Sequence, residues 1–418
     1  MQRKPGRLSR DFWIFWCGQA ISTLGSSFTT LALPLLVYRL TGSALNLALT
    51  SAAEFLPYPL FGLVIGAWVD RTDRKRLMLA TNVLQALVIG SIPVLAGVGH
   101  LAVWWIYAMG FVASTMGILF SSAEFAVIPS LVRPDDLVTA NGRIQASYST
   151  VQIAGPILAG MLAAIMPIER VMYFDAASFL VAAGSIALIR ASFNVARAER
   201  SQSILQDIGE GLRYVLSHPV PRNISAMMAL VNFFGSTIGA QLVLYGQQQL
   251  HADTAQLGFL YSVQSVGVVV LALTAGPLRK RFSFSRVALS ALMLEGVFRV
   301  AMSLVTWYPL ALFCLGLSSG LGILFNINTG SLRQAIVPNH MLGRVLSIAS
   351  VLAWSVIPLG TFLGGVAIQA TGSVALVFGV IGIMTVLIPF AFSFTALGHA
   401  DRYLPKRADA VASVEAEA

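Results

Sequence analysis

Between Asp11 and Arg39 the chain runs 27 residues without Asp, Glu, Lys or Arg, and from Val345 to Ala400 it runs 56. About 20 residues of helix cross the apolar core of a bilayer. The first run is therefore one crossing, and the second holds two around the turn Ala370–Thr371–Gly372–Ser373. Over its 418 residues the chain is 56% hydrophobic and 11% charged. Water-soluble domains carry roughly 25% charge. The chain is an integral membrane protein, and the lipid bilayer is its first partner.

Hydropathy and turn residues predict an all-α protein of twelve transmembrane helices. They lie near 12–38, 46–69, 77–97, 101–124, 144–166, 171–190, 223–247, 256–278, 287–306, 309–332, 345–369 and 374–396. The basic start (Arg3, Lys4, Arg7, Arg10) precedes an apolar run too long for a signal peptide, so that run is the first membrane helix. The domain plan is an N-terminal half over 1–190, a central loop over 191–222, a C-terminal half over 223–400 and a tail over 401–418. In the central loop, Ile204, Ile208, Leu212, Val215 and Leu216 fall on one helical face, which predicts an amphipathic helix along the membrane surface. The Ala/Glu-rich end of the tail reads as disordered.

Alternating the twelve helices puts 24 of the 27 Lys and Arg on the side of the termini and only Arg39 and Arg170 on the other, with Arg299 inside a helix. Positive loops stay cytoplasmic, so both termini and the central loop are expected there. The net charge of +9 is then a matter of topology, and no nucleic-acid partner is implied.

The two halves repeat. GPLRKRFSFSR (276–286) follows the eighth helix as GAWVDRTDRKR (66–76) follows the second, and VIPSLVRPDDLVTANGRI (127–144) resembles AIVPNHMLGRV (335–345). A parallel repeat implies a pseudo-two-fold axis along the membrane normal and a binding site between the halves near mid-membrane.

Twelve helices, a long central loop and this repeat resemble the major facilitator superfamily. Gly66, Asp70, Arg71, Arg74 and Lys75 match its signature between helices two and three, while Asp73 stands where many members carry Gly. The copy at 276–286 has Lys280 in place of the first acid. FWIFWCGQAISTLGSSFTTLALPLLVYRLTGSA (12–44), IPSLVRPDDLVTANG (128–142) and VPNHMLGRVLSI (337–348) are similar to the bacterial efflux branch that includes macrolide and enterobactin exporters. The resemblance implies a monomeric transporter in the bacterial inner membrane, exchanging protons for an amphipathic small molecule such as an antibiotic or siderophore. Movement of a lipid or nutrient, or a non-transporting sensor or scaffold, remain as alternatives.

Asp70 ends a helix whose dipole disfavours an acid there. A helix N-terminus in the other half would suit it, and the resemblance places that partner at the eleventh helix near Gly343 and Arg344. The pair would latch the cytoplasmic side. Gly155, Pro156 and Gly160 in the fifth helix resemble an antiporter signature, although helix packing accounts for them equally well.

Ionisable groups inside a membrane are costly and mark function by default. Glu54 lies deep in the second helix beside Pro57 and Pro59, with no base within a turn, and is the leading proton carrier; a neutral carboxyl bonded to backbone is the alternative. Asp175 is a second candidate. Glu295 and Arg299 are spaced for an ion pair on one helix face, more structural than coupling. Glu124 reads as a gate or anchor. Polar groups on the first, seventh and tenth helices (Gln19, Ser22, Asn232, Asn326 and Asn328) are candidates for the substrate cavity, with Phe233 and Phe234 as apolar walls.

Enzymatic chemistry is not expected. No P-loop and no nucleophile–base spacing occurs, and Cys17 and Cys314 both lie in apolar runs. No cofactor or metal is called for.

Overall fold

The computed structural model describes residues 8–69, 72–133, 136–193 and 204–403. Arg3, Lys4, Arg7, Asp70, Arg71 and the segment 404–418 lie outside the described residues.

The first half contains α1 (Arg10–Thr41), α2 (Ala44–Phe55), α3 (Pro57–Val69), α4 (Arg74–Gly97), α5 (Val103–Leu131), α6 (Leu137–Ile165) and α7 (Ile168–Leu188). After α8 (Ile204–Ser217) come α9 (Pro219–Ala240), α10 (Leu242–Gln248), α11 (Thr254–Ala272), α12 (Ala275–Arg281), α13 (Phe284–Leu304), α14 (Tyr308–Ile336), α15 (Asn339–Trp354), α16 (Ile357–Thr371) and α17 (Val374–Ser393), then a 3-10 turn Ala396–Tyr403. Among the described residues eleven segments are long and apolar enough to cross a bilayer. The twelfth crossing is α2 with α3. At about 1.5 Å per residue, neither of these helices, of 12 and 13 residues, spans about 30 Å alone.

Local chemistry sets the ends. Ser9 accepts from Phe12 N–H at 3.0 Å and starts α1, and Gly42 ends it at φ 61°, a backbone that glycine adopts freely. Asp253 and Gln256 form a reciprocal capping box on α11. Pro57 opens α3, since it has no N–H to offer the turn before it.

Two expectations need correction. The loops around IPSLVR and VTANGR are mostly helix: α5 runs on to Leu131, and α6 starts at Leu137, not near 144. The amphipathic face of α8 also does not lie on one surface. Val215 is 1% exposed and packs with Val337, Val345 and Ile348 of the α14–α15 corner, while Leu212 and Leu216 stay exposed. A neighbouring helix competes with the membrane for the same apolar stripe, and a single sequence does not reveal that neighbour.

The face carrying residue 8 and the 3-10 turn is called the terminal face, and its opposite the far face. The hydrophobic core differs between them. At the far face one continuous core includes Leu31–Val37, Ala159, Ala163, Ile238, Leu242–Tyr245, Leu257 and Ile368, so it crosses from one half to the other. At the terminal face each half keeps its own core, around Phe12, Phe15 and Met78 in the first and around Ile224, Leu289 and Leu332 in the second. The halves are fused at one end and separate at the other.

Candidate functional site

Between the halves lies a cavity of two adjoining lobes. The first, of about 380 Å³, is lined from the first half by Thr30, Thr50, Ser51 and Glu54, and from the second by Tyr261, Gln264 and Ser318. The second, of about 340 Å³, lies within the second half, lined by Asn232, Glu295, Asn326, Gly322 and Met228. Gly235, Ser236, Arg299, Ser319 and Ile357 border both.

Glu54 sits in the last turn of α2, just before the chain breaks at Pro57. Its side chain lies over α5, where a Cβ on Gly110 would come within 3.2 Å of it. No described residue donates a hydrogen bond to its carboxylate, so an uncompensated acid faces the first lobe.

Glu295 and Arg299 form the i,i+4 ion pair that their spacing predicts. Arg299 Nη1 also donates to Thr385 Oγ1 at 3.0 Å, tying α13 to α17. Two glycines make room for the pair. A Cβ on Gly235 would be 2.9 Å from the guanidinium, and one on Gly322 3.2 Å from the carboxylate. Glu295 Oε2 and Arg299 Nε have no partner, which leaves the pair under-satisfied in a low-dielectric site.

Asp175 lies elsewhere. It is 1% exposed between α7 and α1, accepting from Ser26 Oγ at 3.3 Å, Ser178 Oγ at 3.4 Å and Thr29 Oγ1. Three hydroxyls compensate it, and it lines neither lobe. Asn232 and Asn326 do line the second lobe, with Asn232 Nδ2 donating to Ala353 O at 2.9 Å. Asn328 turns back on its own helix to Leu324 O at 2.8 Å. Gln19 and Ser22 are buried away from the cavity, and Phe233 and Phe234 stack edge-on against each other without lining either lobe.

Gly155, Pro156 and Gly160 all lie in α6, which runs unbroken through the proline. Gly160 meets α11 at the far face, where its Cβ would stand 3.1 Å from Thr254 O and 3.2 Å from Gly258 Cα. Gly155 gives way to Ser27 of α1. The same face is closed by Gln241 Nε2 donating to Ala44 O at 2.7 Å, Arg39 Nη2 to Thr254 Oγ1 at 3.2 Å, and Ser43 Oγ to Gln369 Oε1 at 3.3 Å. Toward the terminal face, contact between the halves narrows to α3 against α15, where the Tyr58 and Trp354 rings meet edge-on at 5.2 Å.

The basic loop is anchored within its own half. Lys75 Nζ donates to Ile189 O at 2.6 Å and Ala187 O at 3.2 Å, which caps the carbonyl end of α7, and Arg74 donates to Phe193 O at 3.3 Å in the segment beyond it. Asp73 caps the start of α4 by accepting from Arg76 N–H at 2.9 Å. Arg344 on α15 pairs with Glu210 of α8 at 2.6 Å. Gly66 and Gly343 lie within α3 and α15. Asp70 and Arg71 fall outside the described residues.

Sequence reasoning missed Thr50, Ser51, Tyr261, Gln264 and Gln241. Ser51 and Glu54 are one turn apart on α2, a signal that was available. Gln241, fully buried where α9 breaks into α10, had no such signal.

Residues 7–408 match the family described as transmembrane secretion effector, a branch of the major facilitator superfamily. Macrolide efflux protein A of Streptococcus pyogenes is 25% identical over 370 residues, covering 84% of this chain and 88% of that protein. The multidrug efflux pump Tap of Mycolicibacterium fortuitum is 26% identical over 387 residues, covering 87% and 92%. In fold, the chain is similar to a bacterial homologue of the iron transporter ferroportin in its inward-facing state, with a TM-score of 0.75 at 16% identity over 92% of this chain and 99% of that one. A POT family transporter, PepTSo, gives a TM-score of 0.76 at 13% identity over 95% and 99%.

Proposed function

This chain belongs to the transmembrane secretion effector family of major facilitator transporters, and we propose that it is a proton-driven exporter of an amphipathic small molecule. It is a transporter and not an enzyme. The observation that carries the proposal is the placement of Glu54: an acid without a compensating base, on a half-buried wall between two halves fused at only one end. Such a group can bind a proton when the cavity faces one side and release it when the cavity faces the other. The relatives of matching length named as efflux proteins support the outward direction.

The split of basic residues supports a cytoplasmic terminal face, and the proposal places the chain in the inner membrane of a bacterium as a monomer. The arrangement then has its extracellular end sealed and its cavity facing inward. Rocking of the 1–190 half against the 223–400 half, with Asp70 latching the terminal face when it closes, completes an alternating-access cycle. Apolar walls with a few hydroxyl, amide and acidic groups suit a bulky amphiphile of the macrolide kind.

The test is expression in a bacterial host stripped of its own pumps. Resistance to a panel of macrolides and other amphipathic antibiotics should rise, and an uncoupler should abolish the lowered accumulation. Efflux that persists after the proton gradient collapses would rule out proton coupling.

A further inference from the structure

The second lobe is polar in a pattern that proton coupling does not call for. Ser319, Gly322 and Asn326 follow one another at three- and four-residue spacing on one face of α14, and all three line it. Asn232 on α9 and the Glu295–Arg299 pair on α13 line it from two other helices. Asn326 is exposed to the lobe from within a membrane-spanning helix. Among the described residues neither its amide nor the Ser319 hydroxyl has a hydrogen-bond partner. Asn232 commits its Nδ2 to Ala353 O at 2.9 Å, and no described residue donates to its Oδ1. Unpaired polar groups away from water are costly, and here they converge on one space.

Charge decides what fits that space. Glu295 and Arg299 are the ionisable side chains lining the lobe among the described residues, and they neutralise each other. A charged group entering it would give up its water and meet no counter-ion. A neutral group bears no such cost. The pair keeps one unpartnered acceptor, Glu295 Oε2, and one unpartnered donor, Arg299 Nε, and the amides and hydroxyl add both kinds. Donors and acceptors mixed on three helices match a ring with hydroxyls around its rim, since each hydroxyl both donates and accepts. A lone amide would engage one side only. Between the polar groups, Val268, Ile323 and Ile357 offer apolar wall to the C–H faces of such a ring. The lobe, of about 340 Å³, has room for a single sugar ring.

We propose that the second lobe is the specificity subsite of the transporter, and that it takes a neutral glycosyl arm of the substrate through Asn232, Ser319 and Asn326. The proposal deepens the exporter reading above and rests on it. The apolar body of the substrate occupies the first lobe beside Glu54. Gly235 and Ser236 border both lobes, so one molecule can fill the two at once. The first half then handles the proton, and the second half reads the substrate.

The test uses the purified chain in lipid nanodiscs and two probes that differ by one neutral sugar, erythromycin and its descladinosyl derivative. Each hydrogen bond lost costs roughly threefold to tenfold in affinity, so equilibrium binding should be at least tenfold tighter for erythromycin. Asn326→Leu and Ser319→Ala should each weaken erythromycin binding and leave the derivative unchanged, so that the two Kd values converge. Glu54→Gln should keep the preference in full. Equal affinity of the parent chain for the two probes, binding of neither, or variants that weaken both alike overturns the proposal. The comparison on the parent chain needs no variant to fold, and binding needs no gradient. A chain that prefers the glycosylated probe but lowers no accumulation in the efflux panel sinks the exporter reading and leaves the subsite standing. One that exports both probes while binding them equally sinks the subsite and leaves the exporter.

Discussion

Glu54 on α2 and Arg299 on α13 line the same lobe from opposite halves of the protein, yet only Arg299 has an ionic partner, the Glu295 one turn before it. In the proposed cycle the first half therefore carries an acid that a proton can neutralise, and the second carries a base already paired from within. On that reading the two charged sites differ in role, and substitutions should separate them.

Glu54→Gln keeps the size of the side chain and removes its titration. Substrate should still bind to the purified variant while gradient-driven efflux is lost, and Glu54→Asp should keep part of it. Proton release on adding substrate, followed with a pH dye in weakly buffered detergent solution, should vanish in the Gln variant. Unchanged release would move the coupling role to another acid.

Arg299→Leu strands Glu295 in a buried site with no base. Breaking such a pair costs about 3–5 kcal/mol, so thermal unfolding of the purified variant should start well below that of the parent. Replacing both members, as Glu295→Leu/Arg299→Met, should restore most of the loss. If the double variant unfolds as early as the single, the pair is not the source of the effect.

Gly160→Leu forces a side chain into the α6–α11 contact, where Gly258 Cα and Thr254 O stand within 3.2 Å of a Cβ. Overpacking of this order costs about 1–3 kcal/mol, and it is felt only while the far face is shut. An impermeant thiol reagent added from the far side should label Ser51→Cys several-fold faster in this background. Equal labelling rates would show that the seal does not depend on this contact.

Asp401 accepts from Phe284 N–H at 3.0 Å and Ser285 N–H at 3.3 Å, joining the 3-10 turn to the first turn of α13, and Arg279 stands 3.7 Å away. Asp401→Ala should cost about 0.5–2 kcal/mol, as loss of a helix cap does, and Asp401→Asn less. The melting temperature in detergent reads both. The ion pair itself is partly exposed and contributes little.

How the membrane crossings could be read from the chain, and the cavity mostly could not, follows from where each is decided. A crossing must bury its own backbone polar groups and carry its own apolar length, so every span announces itself within about 20 residues, and the eleven long segments and the broken α2–α3 crossing each cover a span that hydropathy puts there, with α5 and α6 reaching further toward the loop between them. The repeat is likewise written along the chain, and the i,i+4 spacing of Glu295 and Arg299 already implies their pair. Facing is different. Asn326 and Asn328 are the same residue type two positions apart, about 200° around one helix, and only the packing of α14 against α11 and α13 decides that the first borders the cavity while the second returns to Leu324 O. Asp175 and Glu54 are both acids in membrane helices. Three hydroxyls, two of them supplied by α1 149 and 146 residues away in sequence, compensate Asp175, and no described residue hydrogen-bonds the Glu54 carboxylate. Hydropathy is a property each segment holds alone, whereas compensation and exposure are properties of neighbours, and neighbours are assigned only when the helices have packed.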